Sequence, residues 1–481
     1  MPRSDAPRSH PMMAGPPTTE LEPVPQVGSR SVLFDSGFMP PPAGARSARR
    51  TLLALLWAGL IISVWLWFAN TPAGSVDSTP TALVEAGRIT GMMAGYVLLL
   101  QVLLMSRVGW LERHVGGAEL LGWHRDLGAF LLLLVLAHAA LLIVGLAGYD
   151  GSSLLAESRI LLTTYEDMIS AFVATGMLVG IGLLAVRAVR AIMPYELWYF
   201  LHLTSYVVLL LSYGHQFADG RELYESGFGQ AFWLSLYGFV LASLVWGRFV
   251  SPLRLNLRHR LRVAGVVQES DEMFSIYIRG HRLEEMQARA GQYFRWRFLT
   301  AGCWWQAHPF SLSAAPNGQW LRLTIKAVGD HTERLRWLEP GVRVFAEGPS
   351  GTFTADRRTR HRAVLVAGGS GIAPIRALLE DLPRRTVVIY RASSPADLIF
   401  REELDWLARQ RDADVYYVVG GRDDPAPRRV MTPKGLRQLV PDIGRRDIYL
   451  CGPEGLVSAT VKILRRLRVP RRQIHLDPFE F

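Results

Sequence analysis

The sequence HRDLGAFLLLLVLAHAALLIVGLA, residues 124–147, is almost wholly apolar and includes two histidines, His124 and His138. About 20 such residues cross the ~30 Å hydrocarbon core of a bilayer as a helix. Five similar runs lie in the same half of the chain, at about 52–68, 82–105, 168–189, 198–217 and 231–250. One apolar run could be a buried core helix, but six within 200 residues predict a membrane protein with six spans.

The composition separates this half from the rest of the chain. Apolar residues make up 49% of the 481 residues and charged residues 20%, with a mean hydropathy of +0.16. These values exclude a disordered chain and a disulfide-rich scaffold. Because Cys303 and Cys451 are the only cysteines, a cysteine cage for zinc or iron–sulfur is also excluded.

The charges predict the orientation of the spans. The net charge of +11 comes mainly from arginine. Arginines precede the first span and also lie between spans two and three, between four and five, and after six: Arg46, Arg49, Arg50, Arg107, Arg113, Arg187, Arg190, Arg248, Arg254 and Arg258. The other three connections are acidic, with Asp77 and Glu85 in the first, Asp150, Glu157, Glu166 and Asp167 in the second, and Asp219, Glu222 and Glu225 in the third. The positive-inside rule therefore places both termini in the cytoplasm, and nucleic acid is not needed to explain the basic charge.

Four histidines lie inside predicted spans, and ionisable residues at membrane depth are candidates for function. His124 and His138 are 14 residues apart on the third span, and His202 and His215 are 13 apart on the fifth. Each spacing is about 20 Å along a helix. Both spans start on the cytoplasmic side, so His124 matches His202 in depth and His138 matches His215. We predict two bis-imidazole sites that ligate two b haems. Zinc is a competing metal, but two sites ~20 Å apart offer it no obvious use.

The helical phase of the second pair is less regular. At about 100° per residue, 14 residues return to nearly the same face, whereas 13 miss it by about 140°. We therefore expect the fifth span either to be distorted around Gly214 or to present its rings at different azimuths. Two arginines are further candidates. Arg125 could meet a haem propionate or extend to the headgroups, and Arg88 could pair with an outer propionate, attract an anionic acceptor, or extend likewise.

From about residue 258 to 353, short alternating runs predict antiparallel strands in a small barrel. An extended Pro-Phe-Ser segment can offer backbone donors and a hydroxyl to the edge of a flavin ring, and glycines let backbone N–H groups approach a pyrophosphate. Residues of three segments, in this order along the chain, predict an FAD site. They are His308, Pro309, Phe310, Ser311 and Ser313; Lys326; and Gly348, Gly351 and Thr352.

After Ala363, strands alternate with helices, which predicts a parallel sheet with strands at 363–367, 386–390, 415–419 and 447–450. The first strand leads into a turn that can bind a dinucleotide phosphate at a helix N-terminus. The turn comprises Gly368, Gly369, Ser370, Gly371 and Pro374. Arg391 follows the second strand, where a cation suits the 2′-phosphate of NADPH, although it could be merely solvated.

Taken together, these residues resemble the NADPH oxidase / ferric reductase superfamily, in which a six-helix haem domain is fused to a ferredoxin–NADP reductase-like module. The resemblance rests on the histidine pairs, the segments 308–311 and 368–374, Cys451-Gly452-Pro453 and the terminal Phe479-Glu480-Phe481. It implies that the four histidines ligate haem, that Gly452 and Pro453 bind nicotinamide nucleotide, that Phe481 or Phe479 stacks on the flavin, and that Arg88 lies near the acceptor. Cys451 could contact the nicotinamide or be a small buried thiol.

The resemblance also has departures. Leu142 occupies the position where animal oxidases have an extra outer histidine, which weakens oxygen as the acceptor. No calcium-binding EF-hand loop or regulatory domain is recognisable, so no obligatory protein partner is expected.

We therefore predict a membrane all-α six-helix bundle, an antiparallel β-barrel FAD domain and an α/β parallel-sheet nucleotide-binding domain. The boundaries are 1–48 for a disordered cytoplasmic tail, 49–252 for the haem domain, 253–358 for the FAD domain and 359–481 for the NADP domain. The predicted enzyme carries electrons from NADPH through FAD and two haems across the bacterial inner membrane, with oxygen giving superoxide as the favoured acceptor. The alternatives are a ferric-chelate or quinone reductase and, from another class, a transporter or receptor with a regulatory nucleotide-binding domain.

Overall fold

The computed structural model describes residues 44–220 and 226–478. The predicted tail as far as residue 43, the acidic residues Glu222 and Glu225, and the terminal Phe479 and Phe481 lie outside the described residues. The described part has a helical region followed by a β domain and an α/β domain.

The helical region contains several long apolar helices. Its helices are α1 Gly44–Asn70, α2 Thr79–Leu104, α3 Gly109–His114, α4 Gly117–Asp150, α5 Leu154–Thr164, α6 Met168–Leu184, α7 Arg187–Ala191, α8 Tyr195–Leu203, α9 Ser205–Asp219, α10 Gly227–Val245 and α11 Ser251–His259. Among the described residues, five helical segments are long and apolar enough to cross a membrane: 50–70, 79–104, 117–150, 197–218 and 227–259.

The fourth span was predicted at residues 168–189, but the helix observed there is shorter. Helix α6 ends at Leu184 after 17 residues, or about 26 Å, slightly less than the hydrocarbon thickness. It is long and apolar enough to cross a membrane only together with α5, to which it is bent by 119°. Among the residues that the structure describes there are therefore five candidate spans, or six if this bent pair is one span.

Small residues bring α2 and α4 close together. A Cβ at Gly87 would lie 2.9 Å from the Leu142 side chain, and one at Gly145 would lie 2.8 Å from Val84. Such close backbone approach is typical of helix pairs in membranes, where dispersion forces rather than the hydrophobic effect hold helices together.

The β domain consists of two three-stranded antiparallel sheets, with the orders β1-β2-β5 and β4-β3-β6. Its strands are β1 Arg262–Gln268, β2 Met273–Arg279, β3 Tyr293–Phe298, β4 His308–Ser311, β5 Leu321–Lys326 and β6 Val344–Ser350, with the short helix α12 Asp330–Leu335. Phe274, Phe294 and Trp296 are fully buried between the sheets. Only isolated bridges join the two sheets, such as Leu312 to Leu323, so closure into a barrel stays a prediction.

The α/β domain has one five-stranded parallel sheet with the order β11-β10-β7-β8-β9. The strands are β7 Ala363–Gly368, β8 Val387–Ala392, β9 Asp414–Val419, β10 Asp447–Gly452 and β11 Ile474–Pro478. The helices are α13 Ile372–Asp381, α14 Arg401–Arg411, α15 Pro425–Val430, α16 Pro433–Leu439 and α17 Glu454–Arg466. The four predicted strands are confirmed. The fifth, β11, was not predicted.

Candidate functional site

The first histidine pair lies between α4 and α8. The rings of His124 and His202 have centroids 5.9 Å apart and planes at 82° to each other. Because metal–imidazole bonds are about 2 Å long, two imidazoles on opposite sides of one metal stand about 6 Å apart by their centroids. The Nδ1 atom of His124 is buried and has no hydrogen-bond partner among the described residues, and Trp198 stacks on His202 at 5.2 Å. The separation therefore fits two histidines that would together hold one haem iron.

The second pair is His138 on α4 and His215 on α9, and the two side chains interact electrostatically. His138 Nδ1 lies 2.8 Å from the Gly87 carbonyl oxygen, which can fix the ring and leave Nε2 for a metal. A Cβ at Gly91 would lie 2.5 Å from the same ring, so glycine is needed there. His215 Nδ1 is buried without a hydrogen-bond partner among the described residues. This donor set also fits haem iron.

The distortion of the fifth span lies at Thr204, where α8 ends and α9 begins. The Thr204 hydroxyl donates to the Leu201 carbonyl oxygen at 2.7 Å, a back-bonding pattern that bends helices. The expectation that Gly214 is the site of the distortion is wrong. Gly214 lies inside α9, and a Cβ there would be 2.6 Å from the Asp167 carboxylate.

The two arginine candidates differ in their surroundings. Arg88 donates to Glu85 at 2.8 Å, and the Trp67 indole donates to the same carboxylate at 2.7 Å. Arg125 is 76% exposed, and its guanidinium lies 3.5 Å from the Asp126 carboxylate.

The predicted flavin segment forms β4. Trp296 on β3 donates to the Phe310 carbonyl oxygen at 3.1 Å, and Pro309 pairs with Arg295 in the antiparallel register. The ring of His308 stacks on that of His331 at 4.0 Å. The β4 segment is thus held firmly by its neighbours. Lys326, in contrast, is directed to Glu272, at 2.8 Å.

A carboxyl that we did not predict lies at the same segment. Asp477, near the end of β11, accepts a long hydrogen bond of 3.5 Å from the Ser311 hydroxyl. Burial raises the pKa of Asp477 to about 7, with Ser311 acting against the shift. Cys451 Sγ donates to the Asp477 carbonyl oxygen at 3.4 Å; burial, and secondarily the Asp477 charge, raises the pKa of this thiol well above its ordinary value. One feature of the sequence could have pointed to Asp477. It is an aspartate among apolar residues just before the terminal aromatic residues.

The predicted nucleotide residues gather at the carboxyl edge of the parallel sheet, where open α/β sheets bind ligands. Gly368 ends β7 and Gly452 ends β10. A Cβ at Gly371 would lie 2.3 Å from the Cys451 carbonyl oxygen, so the two turns are in contact and glycine is needed. Gly369 has a φ of +53°, which favours glycine. Arg391 on β8 donates to the Val418 carbonyl oxygen at 3.2 Å, and burial lowers its pKa.

The turn at the end of β6 contacts the loop between α2 and α4. The Ser350 hydroxyl donates to Glu112 on α3 at 2.6 Å, and a Cβ at Gly116 would lie 3.2 Å from the Thr352 hydroxyl. Gly348 and Gly351 flank this part of the turn at φ values of +149° and +96°.

An ion pair at the same place joins the membrane helices to the β domain. Glu347 on β6 pairs with Arg107 of the α2–α4 loop and with Arg297 on β3, the latter at 2.8 Å. Burial, followed by the charges of Arg295 and Arg248, lowers the pKa of Arg107 to about 10. Glu347 therefore holds together a group of arginines that would otherwise repel one another. We did not predict this contact between the membrane helices and the β domain.

Comparison with known proteins assigns families to all three regions. Residues 90–213 match a ferric reductase like transmembrane component, residues 259–354 an FAD-binding domain, and residues 365–462 an oxidoreductase NAD-binding domain.

Curated relatives are similar over part of the chain. An NADPH oxidoreductase of Mycobacterium tuberculosis is 28% identical over 48% of this chain, which spans 62% of that relative's length. A ferredoxin–NADP reductase B of Sorangium cellulosum is 30% identical over 36% of this chain and 77% of its own length. Among solved structures, the FAD/NAD-binding domain of a nitric oxide dioxygenase from Vibrio cholerae is 23% identical over 46% of this chain and 98% of its own, with a TM-score of 0.38.

The three matched regions follow one another in the order that the resemblance predicts. The chain therefore carries the domain set of a ferric reductase-like flavocytochrome with a ferredoxin–NADP reductase-like module, and this domain set and the similar reductases support an NAD(P)H-dependent oxidoreductase.

Proposed function

We propose that this protein carries electrons from cytosolic NADPH through FAD and two b haems to an acceptor on the outer side of the bacterial inner membrane, with both termini in the cytoplasm. When bound, FAD accepts a hydride and releases its electrons singly, and haem iron accepts one electron at a time. The domain boundaries predicted above, with a six-span haem domain and a barrel-shaped FAD domain, are part of the proposal. The observation that carries it is the separation of 5.9 Å between the His124 and His202 rings.

Each group of residues has a role in this proposal. His124 with His202, and His138 with His215, hold the two haems. His308 to Ser311, Ser313, Lys326 and the Gly348–Thr352 turn bind FAD. The Gly368–Pro374 turn, Cys451 to Pro453 and Arg391 bind NADPH, and Phe481 covers the flavin. Arg125 meets a haem propionate.

Asp477 adds a proton-holding group at the flavin edge. With a pKa of about 7, its carboxyl is largely protonated at slightly acid pH and largely ionised at pH 8. Its contact with Ser311 lets these two side chains exchange roles as donor and acceptor at one edge of the flavin site.

The surroundings of Arg88 support oxygen as the acceptor over an anionic ferric chelate. Its ion pair with Glu85 offsets the positive charge that would attract an anion. Leu142 supports the second candidate, a reductase of ferric chelates or quinone, because this apolar side chain packs at Gly87 and stands where animal oxidases have an extra outer histidine.

Two measurements test the proposal. Inverted membrane vesicles, which expose the cytoplasmic face, are expected to oxidise added NADPH, and right-side-out vesicles are not; the opposite result would contradict the orientation. The acceptor is tested by comparing superoxide-dismutase-sensitive cytochrome c reduction with anaerobic ferric-chelate reduction. Fast anaerobic iron reduction with negligible superoxide would overturn oxygen as the acceptor and support the second candidate.

A further inference from the structure

A buried cluster of four charged side chains joins the flavin domain to the nucleotide domain. Arg322 on β5 donates to the Glu403 carboxylate on α14 at 3.1 and 3.2 Å. Glu403 also pairs with Arg376 on α13, and Arg376 pairs with Glu380 one turn later. Both arginine side chains are only 3% exposed. The Glu403 side chain is 15% exposed and that of Glu380 22%, so the arginines are closed to water and the carboxylates remain partly accessible.

The cluster is bonded directly to the predicted flavin segment. Arg322 donates to the Ser313 carbonyl oxygen at 2.9 Å and to its hydroxyl at 3.1 Å. The Ala315 N–H donates to Glu380 at 3.0 Å. Arg322 also lies over the Phe400 ring, 4.5 Å from its centroid, just before α14 begins. Two carboxylates of the nucleotide domain thus help to hold residues 313–315, together with the Thr324 hydroxyl and the Arg322 carbonyl oxygen, which also bond to Ser313.

The charges of the cluster compensate one another. Burial would raise the pKa of Glu403, but Arg376 and Arg322 outweigh it and hold that pKa below its ordinary value. Burial would likewise lower the pKa of Arg322, and Glu403 together with Tyr277 outweighs it, so that this pKa is raised. Glu269 lies close enough to interact with the same arginines, and burial raises its pKa. A buried charge that loses its partner is strongly unfavourable, so the cluster holds one arrangement.

The cluster lies close in the chain both to the nucleotide turn and to the flavin segment. Helix α13 begins directly after the Gly368–Gly371 turn, and Arg376 is four residues, about 6 Å, along it from Ile372. On the other side, Ser313 is two residues from Ser311 at the flavin edge. The cluster is therefore only a few residues away from the nucleotide turn on one side and from the flavin segment on the other.

We infer that this cluster, with Glu403 at its centre, sets the position of the nicotinamide relative to the flavin, and that Glu403 is a positioning residue for hydride transfer. The inference rests on the proposed function. Hydride transfer requires the reacting atoms to lie about 3–3.5 Å apart, and a displacement of about 1 Å can cost 100-fold in rate. Glu403 acts through Arg376 and α13 on the nucleotide, and through Arg322 on Ser313.

The test uses the full chain with the Glu403→Gln substitution and, as a control, Glu402→Gln, an exposed neighbour on the same helix. Anaerobic stopped-flow spectroscopy measures the limiting rate of flavin reduction by saturating NADPH, and titration measures the dissociation constant of NADP⁺. Long-wavelength charge-transfer absorbance of the nicotinamide–flavin complex reports stacking independently of turnover. Photoreduction of the flavin measures its electron transfer to haem without nicotinamide.

We expect Glu403→Gln to lower the limiting rate by about 10- to 100-fold and to abolish the charge-transfer band. FAD content, the NADP⁺ dissociation constant within about threefold, and the photoreduced flavin-to-haem rate are expected to match the unaltered chain, as is every property of Glu402→Gln. An unchanged limiting rate and band overturn the inference, and so does weaker NADP⁺ binding with an unchanged limiting rate.

A second variant keeps the test decisive if Glu403→Gln does not fold. Glu380→Gln retains an amide oxygen that can accept from the Ala315 N–H but removes the charge paired with Arg376. It is expected to lower the limiting rate about 3- to 10-fold, and an unchanged rate overturns the inference. Failure of the proposed function looks different, because neither NADPH nor NADH would then reduce flavin in the unaltered chain.

Discussion

Replacement of Asp477 by asparagine is expected to remove a pH-dependent loss of stability. Asparagine has nearly the same shape, and its amide oxygen can still accept from the Ser311 hydroxyl, which contacts the aspartate at 3.5 Å. It cannot ionise. The substitution therefore separates the charge of Asp477 from its packing.

The magnitude follows from the pKa of this carboxyl, which burial raises from 3.8 to about 7. Below pH 4 the carboxyl is neutral in both the folded and the unfolded chain, so its ionisation has no effect on stability. Between about pH 4 and 7 the unfolded chain ionises while the folded chain stays protonated, and the free energy of unfolding falls. Above pH 7 the loss is complete, at about 4 kcal/mol from 1.36 kcal/mol per pKa unit.

The assay is thermal unfolding of the purified full chain between pH 4 and 8.5. The midpoints of the unaltered chain and of Asp477→Asn are expected to coincide near pH 4 and to diverge up to about pH 7, with the variant the more stable. Asp412→Asn, at an aspartate that is 69% exposed and paired with Arg385, serves as the control and is expected to follow the unaltered chain. Parallel curves for Asp477→Asn and the unaltered chain at all pH values would refute the reasoning.

Three further substitutions test other parts of the site. His138→Leu is expected to lower the haem content, measured as pyridine haemochrome, from two per chain to one while NADPH still reduces the flavin; His114→Leu on α3 serves as its control, and an unchanged content would refute the ligand assignment. Glu347→Gln is expected to slow flavin-to-haem transfer about tenfold or more by leaving Arg107 unpaired, without slowing flavin reduction; stopped-flow traces that match those of the exposed control Glu339→Gln would contradict it. Arg391→Gln is expected to raise the KM for NADPH about 10-fold or more and leave that for NADH unchanged, and equal changes for both nucleotides in steady-state kinetics would argue against a 2′-phosphate contact.

The sequence predicted those features that follow from local patterns. Apolar runs about 20 residues long indicate membrane helices, and the alternation after Ala363 indicates the parallel sheet, because both depend on residues close together in the chain. His124 and His138 are about four helical turns apart. From this separation we predicted that they lie at the same depths as His202 and His215 on the fifth span. The Gly368–Gly371 turn was predictable because its glycines follow directly after a strand.

Other features depend on residues that are distant in the sequence. The mismatch in phase between His202 and His215 indicated a distorted helix, but the break between α8 and α9 at Thr204 has no distinctive sequence pattern. Arg322 and Glu403 are 81 residues apart, and nothing in either segment specifies its partner. Asp477 lies on a short terminal strand whose position in the sheet depends on pairing with β10.

The central claim is that electrons from NADPH reach two haems held by the histidine pairs. The most direct test is to add NADPH anaerobically to the purified full chain while recording its flavin and haem absorbance. The account predicts two b-type haems per FAD, both reduced after the flavin. Absence of a haem Soret band, or haems that dithionite reduces but NADPH does not, would contradict it.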